Sequence, residues 1–271
     1  VSDADVRHVQ EKYDTEIFGL LTTIWGEHLH MGLFERPGEP FDAATTRATA
    51  TMAADVGFRP RQHVIEVACG IGGTARHLAR THGVSVEATN VSEMQLERGR
   101  DLTERAGLAH LVRFSFADYH DLPFERAAFD VWWCQEAMLY SPDKERVLAE
   151  ARRVVRPGGR LVLSDLLFHA SMPFSEREPF MERQGARHFW TIEQYDTLLE
   201  RMGLRVLVRR DWSDNVLPTY ESVTARFAAR REEFAAVAGE REVDAVIARL
   251  TMQRDAARLG RLGWAYWLIA V

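Results

Sequence analysis

The sequence predicts an α/β protein: a seven-stranded, mostly parallel sheet with helices on both faces, a helical preface at the N-terminus and a helical insertion before the last strand. Three observations carry that expectation. From His63 onward, short β-branched runs alternate with amphipathic helical stretches, the pattern of parallel strands joined by crossover helices. A glycine-rich loop, "ACGIGG", separates the first of those strands from the first helix, and the chain closes on an apolar run, "GWAYWLIAV".

Each element follows in order. Residues 1–60 lack strand signals and hold a helical pattern, the glycine-spotted segment "IWGEHLHMGLFERPGEPF", and a helix from Ala43 to about Val56. They read as a preface or lid, with 61–271 as the main domain. "HVIEVA" is strand one, and the loop opens a helix to about Thr81. "VSVEATN" is strand two, with a helix from near Ser92; "VRFSFA" is strand three and "FDVWWCQ" strand four. "RLVLSDLL" is strand five, after a turn "RPGG" whose Pro157 and Gly158 stop the preceding helix. A helix-rich insertion covers about 170–200, "LRVLVRRDW" is strand six, and a charged helical stretch at about 220–260 leads to the last strand. That stretch reads first as a helix packing its apolar face on the sheet, not as a substrate element.

Gly70, Gly72 and Ala75 satisfy the Rossmann-like G-x-G-x-x-A pattern, which seats a nucleotide on a helix N-terminus. Any ligand needing close backbone approach would also demand glycine here, so the loop alone leaves the nucleotide open. A net charge of −6 argues against a nucleic-acid surface, whose affinity comes from accumulated Lys and Arg. Cys69 and Cys134, the only cysteines, fall in buried-looking elements and suggest neither a disulfide framework nor a thiolate metal site. With no apolar run long enough for a bilayer and no signal pattern in "VSDADVRHVQEKYD", a soluble, cytoplasmic protein is expected, without membrane partners.

In such a sheet the ligand sits beyond the carboxyl ends of the strands. Strand one carries Glu66 there, a carboxylate suited to a cationic ligand. Strand two ends on Asn90, able to accept and donate to sugar hydroxyls or to cap the next helix. Strand three offers Asp118, an acceptor for an adenine amine, and strand four offers Gln135 and Glu136 where a reacting group would lie. A carboxylate in a half-closed pocket is costly without a cation, so Glu136 points to a positively charged species in the reaction.

These positions, followed by "RVVRPGGRLVLSD", resemble the class I S-adenosylmethionine-dependent methyltransferases over about residues 64–165. The resemblance implies S-adenosylmethionine as cofactor and S-adenosylhomocysteine as product. It places Glu66, Ala68, Gly70, Gly72, Asn90, Val91, Gln95, Ala117, Asp118 and Gln135 around the cofactor. Glu66 would orient the ammonium group, Asn90 and Gln95 the ribose, and Asp118 the adenine. The family usually has Gly at Ala68 and Asp or Glu at Asn90. Methyl transfer is an in-line displacement, so the protein chiefly aligns the acceptor and excludes water, with no nucleophilic side chain and no metal required.

The segments "IWGEHLHMGLFE", "WWCQEAMLYSPDK" and "RLGRLGWAYWLI" resemble the branch that includes sarcosine/dimethylglycine N-methyltransferases. That implies a small amino-acid-derived amine as acceptor, its anionic group on an arginine, aromatic or carboxylate contacts to the ammonium, and a possible homodimer. Glu136, Tyr140 and His28 are the catalytic candidates. Trp25, His30, Met138, Arg183, Arg187 and Trp190 are the acceptor candidates, with Arg258 and Arg261 as further arginines. His28 and His30 lack a readable third metal ligand. Glu136 stands where the relatives have aspartate. The competing acceptor is an isoprenoid diphosphate alkene, whose carbocation Glu136 would stabilise or deprotonate. It requires Mg²⁺ and a greasy pocket from Trp25, Met31, Met138, Phe180, Phe189 and Trp190. A non-catalytic cofactor-binding protein is the remaining alternative.

The cofactor expectation is checked by thermal unfolding. S-adenosylmethionine at a hundredfold excess over its Kd stabilises the protein by about 2.7 kcal/mol, whereas NAD and NADP leave the melting temperature unchanged.

Overall fold

The computed structural model describes Arg7, Gln10 and residues 14–186 and 188–271. The preface contributes α1 (Glu16–Trp25) and α2 (Phe41–Val56). The sheet domain then runs β1 (His63–Val67), α3 (Gly73–His82), β2 (Ser85–Asn90), α4 (Glu93–Arg105), β3 (Val112–Phe116), β4 (Phe129–Gln135), α5 (Lys144–Val154) and β5 (Val155–Phe168). It continues through α6 (Phe174–Gln184), α7 (Ile192–Arg201), β6 (Arg205–Asp211), α8 (Val216–Ala228), α9 (Arg231–Ala238), α10 (Glu240–Arg258) and β7 (Leu262–Ala270). The seven strands lie in the order β3-β2-β1-β4-β5-β7-β6, all parallel except β7, which is antiparallel to both neighbours.

Period-two alternation sorts the strands' side chains between two cores. Val64, Val131, Trp133, Val162, Trp264 and Tyr266 pack on one face with α2 and α3 residues. Ile65, Trp132, Cys134, Leu163 and Trp267 pack on the other with α5 and α7 residues. A third core lies off the sheet: Leu21, Ile24 and Phe41 of the preface against Val223, Phe227, Phe234, Val246 and Leu250. The 220–260 stretch therefore packs mainly on the preface, not flat on the sheet as expected, because its apolar stripe meets that of α1.

Two boundaries move for local reasons. β1 ends at Val67 because Ala68 turns left-handed, with φ 51°. β5 starts at Val155, ahead of "RPGG", and its pairing with β4 jumps from Phe129↔Val155 to Val131↔Arg160. Gly158 supplies the positive φ of 82° for that irregularity, and a Cβ on Gly159 would lie 2.5 Å from the Asp130 carbonyl. Among the described residues no helix is long and apolar enough to cross a membrane.

The preface is seated on the glycine loop by close backbone contact. A Cβ on Gly73 would stand 1.9 Å from the Glu27 carbonyl oxygen, so only glycine admits the preface at this distance. Gly73→Ala is expected to destabilise the fold by about 1–3 kcal/mol, read as a lower denaturant midpoint, through displacement of residues 27–30. An unchanged midpoint would contradict this seating.

Candidate active site

The strand order reverses between β1 and β4, where an open α/β sheet leaves a crevice. A cavity of about 220 Å³ opens there. Successive strand tips wall it: Ala68 and Gly70 after β1, Asn90 and Val91 after β2, Ala117 and Asp118 after β3, Gln135 and Glu136 at β4. Trp25 and Met31 of the preface, Tyr140, and Tyr220, Arg249 and Gln253 of the insertion complete it. A second cavity of about 40 Å³ shares Ala68, Gly70 and Gln135 and reaches Glu66, His28 and His30.

The glycine loop turns through three left-handed residues, Ala68 (φ 51°), Gly70 (φ 55°) and Gly72 (φ 74°). Ala68 bears a conformation that disfavours a Cβ, a local strain of about 1–3 kcal/mol. Gly70 faces the cavity, with Leu29 packed 3.0 Å from where its Cβ would be. Gly72 does not line the cavity. It is required because a Cβ there would lie 2.5 Å from the Phe114 ring.

The polar tips are held in fixed geometry. Asn90 Nδ2 donates to Gln95 Oε1 at 2.6 Å, and its Oδ1 accepts from the Val91 N–H at 2.8 Å. Gln135 Oε1 accepts from Thr74 Oγ1 at 2.9 Å and Trp133 Nε1 at 2.7 Å. Asp118 Oδ1 accepts from the His120 N–H and ring. Burial opposes the Asp118 charge, but those His120 bonds bring its pKa below the ordinary value.

Two carboxyls at the cavities, the buried Glu66 and the half-buried Glu136, have strongly shifted electrostatics. Burial raises Glu66 to about 8, only partly countered by Arg76, and its Oε2 has no hydrogen-bond partner among the described residues. Burial raises Glu136 to about 8 as well, against the opposing pull of the Met31 N–H. Both Glu136 oxygens accept from that N–H, at 3.1 and 2.9 Å, and Glu136 itself is left-handed with φ 52°. Its own N–H still donates to the Ser164 carbonyl at 2.8 Å. The turn after it is anchored by Lys144, 1% exposed, donating to the carbonyls of Met138 (2.8 Å), Ser141 (3.1 Å) and His188 (2.7 Å). Burial depresses Lys144 and raises the adjacent Asp165, each moderated by the other's charge.

Several expected site residues lie elsewhere. Met138 is fully buried in the sheet core, because the 3-10 turn Met138–Tyr140 directs Leu139 and Tyr140 to the cavity instead. Trp190 packs at the same core with Lys144 Nζ 5.0 Å above its ring, and Phe180 and Phe189 pack on each other and Phe168. His30 and His28 line the small cavity behind the loop, not the larger one with Glu136. The ring nitrogens of His30 meet the Met31 carbonyl at 2.9 Å and Thr49 Oγ1 at 3.0 Å. Burial, then the neighbouring His30 and His77 rings, hold His28 far below the ordinary imidazole pKa, so it stays neutral there. Arg183 is exposed away from the cavity, Arg258 and Arg261 pair with Glu221 and Glu176, and Arg187 lies outside the described residues.

Sequence reasoning missed Arg249, Tyr220 and Gln253. The signal was present in α10: Val246, Arg249, Leu250 and Gln253 share one helix face, so two polar residues interrupt a buried apolar stripe. Among the described residues Arg249 is the only arginine or lysine lining the cavity, and it has no hydrogen-bond or ion-pair partner there.

Comparison with known proteins assigns the chain to a family. A family model described as a methyltransferase domain matches residues 65–163. The sarcosine/dimethylglycine N-methyltransferase of Halorhodospira halochloris is 31% identical over 85% of this chain and 83% of its own length. The glycine/sarcosine/dimethylglycine N-methyltransferase of Actinopolyspora halophila is 33% identical over 80% of this chain, which spans only 39% of that longer protein. A solved structure from Galdieria sulphuraria, provisionally assigned as a sarcosine dimethylglycine methyltransferase, superposes with a TM-score of 0.84 at 25% identity, covering 99% of this chain and 98% of the other. The chain belongs to the class I S-adenosylmethionine-dependent methyltransferases and is an enzyme of that class.

The residues fit that cofactor. Buried polar atoms without a partner among the described residues, Glu66 Oε2, Gln95 Nε2 and Gln135 Nε2, stand beside the two cavities, where a ligand's ammonium and hydroxyl groups would satisfy them.

The raised carboxyls give a pH signature. Between the ordinary value of 4.5 and about 8, the unfolded chain has released protons that the folded chain retains at Glu66 and Glu136, so both groups lower stability as pH rises. In the apoprotein, Glu66→Gln and Glu136→Gln should each match wild type below pH 4.5 and exceed it by more than about 1 kcal/mol at pH 8. A gap that closes with rising pH would contradict the burial.

Proposed function

We propose that the enzyme methylates the nitrogen of a small amino-acid-derived zwitterion of the sarcosine or dimethylglycine type. The observation that carries this reading is that one cavity holds both a carboxyl, Glu136, and an arginine, Arg249, that has no partner among the described residues. Tyr220 lines the same cavity; burial raises its pKa first, Glu136 adds to the rise and Arg249 opposes it. An amine that becomes cationic suits the first group and a carboxylate suits the second, bidentately. The names of the relatives from Halorhodospira and Actinopolyspora agree with such an acceptor.

When bound, the cofactor supplies a methyl group activated by its sulfonium. The chain's residues do the rest. Glu66, at the end of β1, offers a carboxylate to the cofactor's ammonium, and Asn90 with Gln95 offers a paired amide to its ribose. Arg249 fixes the acceptor's carboxylate and thereby the direction of its nitrogen lone pair. Glu136 has two tasks. Raised to about 8, it can take the proton that a secondary amine must lose, and as a carboxylate it stabilises the quaternary ammonium formed from a tertiary one. The rings of Trp25, Tyr140 and Tyr220 exclude water and present π faces to that cation.

An isoprenoid diphosphate suits this cavity less well. A lone arginine matches one carboxylate better than a diphosphate with Mg²⁺, and Met138, Phe180 and Phe189 are committed to packing.

Steady-state kinetics with dimethylglycine test the assignment. Arg249→Gln should raise the acceptor KM about tenfold or more with little change in kcat. Glu136→Gln should lower kcat about a hundredfold while the Kd for S-adenosylmethionine stays within about threefold of wild type. Chelation-sensitive transfer of label to geranyl diphosphate, with none to dimethylglycine, would overturn it.

A further inference from the structure

We infer that His120 is a specificity-determining residue for the base of the nucleoside cofactor: it locks the Asp118 carboxylate so that one oxygen alone faces the ligand. The inference rests on the cofactor reading above, with Asp118 at the adenine end of the cavity. His120 is 4% exposed and is held from every side. Asp118 Oδ1 accepts from the His120 backbone N–H at 2.9 Å and faces its Nδ1 at 2.7 Å. The other ring nitrogen, Nε2, faces Ser141 Oγ at 2.8 Å, and Ser141 Oγ accepts from the Asp143 N–H at 3.1 Å. The Tyr119 ring lies 4.6 Å away, and the His120 carbonyl accepts from Arg146 Nε at 2.8 Å.

A single placement of hydrogens satisfies the whole chain. Asp143 N–H donates to Ser141, Ser141 O–H donates to Nε2, and Nδ1–H donates to Asp118 Oδ1. The carboxylate cannot rotate without breaking two bonds. Its Oδ2, with no partner among the described residues, remains as a fixed acceptor on the cavity wall. A base carrying an exocyclic amine donates to that oxygen. A base with a carbonyl at the same place sets acceptor against acceptor and leaves both unpaired. Free rotation of Asp118 would relax this discrimination, because the carboxylate could swing away from the carbonyl.

The test compares binding of S-adenosylhomocysteine and S-inosylhomocysteine by calorimetry. Wild type should prefer the adenosyl compound about tenfold or more, one hydrogen bond's worth of selectivity. His120→Leu, which removes both ring contacts, should reduce that preference below about threefold. His120→Asn, whose amide nitrogen can occupy the Nδ1 position, should restore it, and Ser141→Ala, which frees the far end of the ring, should fall between. A purely structural role would weaken both ligands in parallel and leave the ratio unchanged in His120→Leu and Ser141→Ala; that result overturns the inference. Failure of wild type to bind either compound would instead overturn the cofactor reading, and the inference with it.

Discussion

The bond from the Met31 N–H to the Glu136 carboxylate is the contact on which the site depends. It joins the preface to the tip of β4 across the cavity, and it exists because Glu136 adopts a left-handed backbone where its strand ends. With φ at 52° the side chain leaves the alternation of β4, whose preceding residues alternate between the two cores. The sheet thus delivers a carboxylate to the crevice at the cost of local strain, as functional positions often do. Gly73 makes the same closure possible from the other side, by letting the Glu27 carbonyl rest against the start of α3.

Around that contact stand ionisable groups that the described residues leave incompletely partnered. Among the described residues Glu66 keeps an unpartnered oxygen, the Glu136 carboxyl is held by one amide, and Arg249 has no counterion. Each is unfavourable alone, and ligands of opposite charge relieve them. Under the proposed function, an ammonium on the cofactor, a cationic centre on the acceptor and a carboxylate on the acceptor would meet these three groups in turn. Binding would then stabilise the site, the more so because such interactions are stronger away from water.

Much of this was legible in the sequence. Asn90, Asp118, Gln135 and Glu136 could be read because each sits at or just beyond a strand end, where topology alone fixes the direction of the cavity. Seven strands and the helical preface were legible for the same local reason. What required the fold was the choice of face on elements without a period to read. Met138 and Tyr140 are two residues apart in a 3-10 turn, yet one faces the core and the other the cavity. His30 reads from the sequence as an acceptor candidate, yet its ring nitrogens meet the Met31 carbonyl and Thr49 Oγ1. Arg249 and Gln253 break the apolar stripe of α10, but the partners of that stripe lie in α1 and α8, distant in sequence, so the cavity those two residues face became legible only in the fold.

The measurement that bears most directly on the central claim is a crystal structure of the enzyme with S-adenosylhomocysteine and dimethylglycine. The account predicts the amine nitrogen beside the Glu136 carboxylate, the acceptor's carboxylate on the Arg249 guanidinium, and the preface still closed through Met31. Dimethylglycine bound outside this cavity, or inside it with its carboxylate turned away from Arg249, would contradict it.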